Sequence, residues 1–220
     1  MDFKIEIFEK LWHSTNRDDF ENWIYVSDEK EFQNIVGESV YTDIISESYS
    51  DMNLSQIKKF VFDCLDDTLK ADFKNYILAN QKVIKAICIK DKGLDYGCKK
   101  IRDWDLNIGQ DYFVFRITTN ISSDCHKITY QIFDPEYSDS TPYLIPAEMF
   151  EIKDFKIPDG YKIEVMDGEI EISVAEFSDS SYEPVEYSFW EDYFDDHKKA
   201  VDIFDNVLRR MGIKLDFDIN

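Results

Sequence analysis

The chain has 220 residues, 44% hydrophobic and 15% aromatic, which is long and apolar enough for a substantial core and excludes a disordered chain. Its 46 acidic residues outnumber 25 basic ones, and the net charge of −21 repels nucleic acid and anionic membranes while attracting basic surfaces. No stretch approaches the ~18 apolar residues of a membrane span, and Met1-Asp2-Phe3-Lys4-Ile5-Glu6 lacks the basic region and apolar run of a signal peptide, so the expected compartment is the cytoplasm.

The first half reads as helical, roughly over residues 1–85. Phe8, Leu11 and Trp12 fall at helical spacing, and Asp18-Asp19 start a short helix presenting Phe20, Trp23 and Ile24. Acids at Asp28-Glu29 suit a first turn, Phe32, Ile35 and Val36 follow, and Gly37 is a stop. Val40, Tyr41, Ile44 and Ile45 share one face of the next helix. Asn53 with Gln56 resembles a capping box before a stripe that runs from Ile57 to Leu69. Phe73, Tyr76 and Ile77 continue it after a kink near Asp66-Asp67.

The period then changes to two. Phe113, Phe115 and Ile117 alternate with polar neighbours, as do Ile128, Tyr130 and Ile132, and Asp134-Pro135 ends the second run. Tyr161–Met166 and Glu169–Val174 flank Asp167-Gly168, the signature of a two-residue type I′ hairpin. That turn sets Val165 opposite Ile170, Ile163 opposite Ile172 and Tyr161 opposite Val174 as one apolar face. On the other face Glu164 meets Glu171 and Met166 meets Glu169, a solvated face or one that meets a basic partner. Ser188 with Glu191 caps a long last helix whose stripe runs from Phe189 to Met211, and Gly212 ends it. Ile213, Leu215, Phe217 and Ile219 predict a closing strand. The expected fold is α+β: a helical region over 1–85 packed on an α/β region over 86–220, with a mainly antiparallel sheet and a long C-terminal helix.

Chemistry is harder to find. No phosphate-cradling glycine loop, no nucleophile elbow and no zinc-protease helix occurs. The four cysteines, Cys64, Cys88, Cys98 and Cys125, show no metal or disulfide spacing, so reduced thiols are expected, even with Cys125 beside His126. Asp134 followed by Glu151-Ile152-Lys153 is a weak match to the strand-borne Asp and Glu-x-Lys of metal-dependent nucleases. No catalytic residue, no metal ligand and no cofactor is assigned.

Charge is unevenly spread. Residues 134–196 hold 19 acids and 3 bases, whereas residues 85–102 hold 6 bases and 2 acids. Between Glu176 and Asp196 eight acids are interleaved with Phe177, Tyr182, Tyr187, Phe189, Trp190, Tyr193 and Phe194. Aromatic rings anchor interfaces and carboxylates around them select a basic partner. The candidate partner-binding residues are Glu164, Glu171, Tyr182, Glu183, Glu186, Tyr187, Asp192 and Asp195. The loop from Ser178 to Tyr187 is expected to be an exposed binding loop, and Glu164, Glu171, Asp192 and Asp195 exposed acids.

Phe20-Glu21-Asn22-Trp23-Ile24-Tyr25, with Phe32-Gln33-Asn34-Ile35-Val36-Gly37-Glu38-Ser39-Val40-Tyr41, resembles the N-terminal region of bacterial polymorphic-toxin immunity proteins. The resemblance covers about a fifth of the chain and has no catalytic motif to carry over. It implies a cytosolic, non-enzymatic inhibitor that covers the active site of a cognate toxin, and the acidity suits a basic, nuclease-type toxin. The alternatives are a nucleic-acid mimic that inhibits a DNA- or RNA-binding protein, and a metal-dependent nuclease.

Overall fold

The computed structural model describes residues 2–119, 127–134, 141–154, 156–166, 168–178, 180–215 and 217. The fold is α+β. The chain divides into two compact units, Met1–Gln81 with Leu208–Asn220, and Lys82–Val207. The first boundary lies close to the expected one. The second corrects it, because the last residues belong with the N-terminal helices and not with the sheet.

Unit 1 holds α1 (Phe3–His13), α2 (Arg17–Val26), α3 (Glu29–Val36), α4 (Glu38–Ser46), α5 (Leu54–Cys64) and α6 (Asp67–Asn80). Short polar side chains start five of them: Asp2, Asn16, Asp28, Asn53 and Asp66 each accept a hydrogen bond from a first-turn N–H. The Asn53/Gln56 capping box is present. Gly37, at φ +90°, ends α3 and starts α4, a geometry that a Cβ would strain. One core collects the apolar stripes, with Phe20, Ile24, Phe32, Ile44, Ile57, Val61 and Phe73 fully enclosed. Lys58 is buried on the same helix as Ile57 and Val61, and its Nζ donates to Ser14 O at 2.6 Å.

The returning segment completes this core. Trp12 Nε1 donates to Arg209 O at 3.1 Å, Gln81 Nε2 donates to Gly212 O at 2.9 Å, and the rings of Phe62 and Phe217 lie 5.5 Å apart. Gly212 has φ +70°, and a Cβ there would lie 2.4 Å from Trp12 Cζ2. The expected closing strand does not form among the described residues 213–215 and 217. Ile213 N–H instead returns to Leu208 O at 2.9 Å as a helix cap, and Leu215 and Phe217 pack on the helical core.

Unit 2 is built on an antiparallel sheet of β1 (Ile84–Cys88), β4 (Asp111–Thr119), β5 (Ile128–Phe133), β6 (Tyr143–Pro146), β7 (Phe150–Ile152), β8 (Tyr161–Met166) and β9 (Glu169–Val174). A separate pair is formed by β2 (Lys92–Leu94) and β3 (Ile101–Asp103). The main order is β6-β5-β4-β1-β7. β4 is long enough to pair β1 with its first half and β9 with its second, and β8 pairs β9 beyond. One face packs Ile84, Ala86, Tyr112, Val114 and Ile132 under Trp104, Leu106 and Met149. The other carries Phe115 and Phe133 against Phe177 and against Phe204 of α8 (Lys198–Arg210), with ring centroids 5.6 to 6.1 Å apart.

A bulge between Val114 and Arg116 decides what the hairpin does. It shifts the β4–β5 register there, so Phe115 packs with the helix layer, Arg116 ion-pairs on that same side, and Ile117 joins the opposite core. The expected alternation of Phe113, Phe115 and Ile117 on one face is therefore corrected at Ile117. The β8–β9 register is the expected one at every pair from Tyr161↔Val174 to Met166↔Glu169. Gly168 has φ +84°, while Asp167 lies outside the described residues. At the open end Tyr161 and Val174 face the core as expected, but toward the turn the apolar face is exposed and the opposite face is buried. Ile163 and Val165 are 60% and 70% exposed, whereas Glu171 is 8% exposed and Ser173 is fully buried.

The expected long last helix is two helices, α7 (Phe189–Phe194) and α8. Asp196 sits in the left-handed region at φ +58° and breaks the run at Asp195–His197. Cys98 is disulfide-bonded, and Cys64 and Cys88 are free thiols. This corrects the expectation of reduced cysteines and removes the compartment argument that rested on it. Cys125 and His126 lie outside the described residues. Among the described residues, no helix is long and apolar enough to cross a membrane.

Candidate protein-binding surface

The acidic-aromatic stretch folds around a buried carboxylate. Ser188 caps α7, its hydroxyl accepting from Glu191 N–H while Glu191 reaches back to Ser188 N–H. That start places Phe189 and Trp190 in the core and turns Asp192 toward the preceding loop. Asp192 has no exposure and accepts from Tyr182 Oη at 2.8 Å, Val185 N at 2.6 Å, Glu186 N at 3.1 Å and Tyr187 N at 3.1 Å. Burial alone would push this carboxyl up. The hydrogen bonds from Val185, Tyr182, Tyr187 and Glu186 reverse that push and hold it at about 2. Tyr182 is moved the other way, to about 12, by its burial and by the Asp192 carboxylate it donates to.

The loop backbone is thereby fixed, and its side chains divide. Val185 and Tyr187 are exposed, Tyr187 by 60%, and the carboxylates of Glu183 and Glu186 stand beside them in solvent. α8 supports the loop from its N-terminal end. Lys199 Nζ donates to Glu183 O at 2.5 Å and lies 5.2 Å from the Tyr182 ring centroid, and His197 Nε2 lies 3.9 Å from Glu186 Oε1.

The eight candidate residues therefore separate. Glu183, Glu186 and Tyr187 come together on the exposed loop, and Asp195 is exposed at the end of α7. Tyr182 and Asp192 are corrected from surface contacts to internal anchors, because a carboxylate that satisfies three backbone N–H groups must turn inward. Glu171 is corrected likewise. It lies opposite Thr118, beside Arg116, and takes an ion pair from Arg116 Nη2 at 2.7 Å. Glu164 is partly buried on the same face, accepting from Ser180 Oγ, with Lys162 Nζ at 3.8 Å. Val185, His197 and Lys199 were not legible as parts of this surface, since nothing in their spacing marks them.

The hairpin end is a polar layer inside the sheet. The register sets Gln131, Arg116, Ser173 and Lys162 in one row, and Thr129, Thr118, Glu171 and Glu164 in the next. Arg116 Nε, Thr118 Oγ1, Ser173 Oγ and Glu164 Oε2 are buried without a hydrogen-bond partner among the described residues, which suits ordered water. Each carboxylate here has its own cation, so the pair is held as ion pairs.

The nuclease-like residues do not converge. Asp134 ends β5, is buried, and accepts from Gln110 Nε2 at 2.6 Å, while Glu151 is exposed on β7 with β4 and β1 between them. Lys153 pairs with Asp111 at 2.6 Å. Among the described residues no group of three His, Cys, Asp or Glu side chains is placed to hold a metal ion. Comparison with protein families, with curated proteins and with solved structures finds no match.

Proposed function

We propose that the chain is an acidic binding protein, an immunity protein that neutralises a basic, nuclease-type bacterial toxin by covering its active or substrate-binding surface. One observation carries the reading: a loop held in place by buried Asp192 offers Val185 and Tyr187 to solvent between the carboxylates of Glu183 and Glu186. A fixed loop loses little freedom on binding, an aromatic anchor slows dissociation, and rim acids steer a basic partner. The resemblance of the Phe20–Tyr41 stretch to polymorphic-toxin immunity proteins agrees with it. A nucleic-acid mimic needs regularly spaced exposed carboxylates, and the burial of Glu171 and Asp192 interrupts such an array in this segment. The reading assigns the chain no reaction and no cofactor.

The test is a titration against the product of the adjacent gene. Tyr187→Ala should weaken binding by about 2 kcal/mol without lowering the melting temperature. Charge reversal at Glu183, Glu186 and Asp195 should slow association and reduce its salt dependence. Binding that is unchanged in both variants would remove this loop as the contact surface.

A further inference from the structure

Among the described residues β8 is the least protected edge of the main sheet, and it pairs with β9 alone. The other edges are blunted: β7 has three residues, and β6 has four and ends on Pro146, which has no N–H to give. β8 runs for six residues without proline or bulge.

The register identifies which backbone groups face outward. Ile170 N donates to Thr119 Oγ1 at 2.7 Å, and Ile170 O accepts from the same hydroxyl at 3.2 Å, so both groups point at β4. Val165↔Ile170 is then a pair without mutual hydrogen bonds, and by alternation so is Ile163↔Ile172. The N–H and C=O groups of Ile163 and Val165 therefore point away from β9. Their side chains are the exposed ones, and they continue onto Ile170, itself 42% exposed.

We propose that β8 is a self-complementary edge through which two copies of this chain join, β8 against β8, antiparallel about a two-fold axis at Ile163. Centred there, Ile163 faces Ile163 of the second copy, Tyr161 faces Val165, and Lys162 faces Glu164. The symmetry gives every unlike pair twice. Lys162 and Glu164, which within one chain share Ser180 and lie 3.8 Å apart, then face their counterparts twice on one face, and Ile163 and Val165 form an apolar strip on the other. Moving the axis by one residue sets Glu164 against Glu164 or Lys162 against Lys162. The sequence Tyr161-Lys162-Ile163-Glu164-Val165 thus specifies one register and one occupant. The inference rests on β8 and is independent of the loop reading.

Sedimentation of the full chain tests it, at about 0.15 M salt, where a Debye length of ~8 Å screens the repulsion between two chains of net −21. The wild type should move from one to two times 26.1 kDa as concentration rises through the micromolar range. Lys162→Glu and Glu164→Lys should each remain single chains, because each opposes like charges twice. Mixed in equal amounts, they should form a two-chain species, since one chain then carries acids at both positions and the other lysines at both, and the two facing pairs each join opposite charges. Ile163→Arg, which leaves both charges in place, should also stay single, with far-ultraviolet circular dichroism confirming the fold of each variant. A wild type that stays a single chain to ~200 μM overturns the proposal. So does a two-chain species that survives the single substitutions, or a mixture of the two charge variants that fails to associate.

Discussion

Asp192 and Glu171 are both acids with almost no exposure, and the molecule neutralises them by opposite means. Asp192 is held by neutral donors, one phenol and three backbone amides. Glu171 is held by a cation, Arg116. The first arrangement organises a loop and leaves the loop's outward charge untouched. The second cancels a charge and organises side chains within a sheet. The acidic segment is therefore not one surface: part of its charge is internal architecture and part faces solvent.

Four measurements sharpen this contrast. Asp192→Ala should have the largest effect, because three backbone N–H groups and a buried phenol lose their acceptor together. A fall in melting temperature of roughly 10 °C and rapid proteolysis within 183–187 are expected. Arg116→Met should cost about 3 kcal/mol in denaturant unfolding, as Glu171 is left buried beside no cation. Adding Glu171→Leu should recover most of that loss, which no second substitution at a side chain could do for the amides around Asp192. Tyr182→Phe should cost about 1 kcal/mol, the worth of one donated bond among four.

The remaining measurement is a pH dependence. Asp192 titrates at about 2 in the folded chain against an ordinary 3.8, so its contribution is fully present above 3.8 and disappears as pH falls through 2. The stability gap between wild type and Asp192→Ala should be constant from pH 5 to 4 and shrink from pH 4 to 2. A gap already shrinking above pH 5 would mean that the amides do not hold the carboxylate.

Much of the helical unit was legible because its signals are local. The Asn53/Gln56 box and the Gly37 stop each act within a few residues, whereas the stripe from Ile57 to Leu69, read as one kinked helix, is two: α5 ends at Cys64 and α6 restarts on the Asp66 cap. The β8–β9 register was legible for the same reason, since a two-residue turn fixes every pair beyond it. Which face of that hairpin turns inward was not. That depends on the bulge near Phe115, which changes the parity of β4 after it, and no residue type announces it. Asp192 was hidden in a run of acids, and only the loop coming back over α7 distinguishes it from Glu191. The disulfide at Cys98 was hidden because its pairing is set by the fold and not by spacing.

The chain leaves its first unit at Gln81 and does not return until Leu208. During synthesis the six N-terminal helices emerge long before Phe217, the ring that closes on Phe62, and before the backbone carbonyls that receive Trp12 and Gln81. The sheet unit draws on Phe204 of the same C-terminal helix, so both units wait for the end of the chain, and the helical core closes only when Phe217 is available.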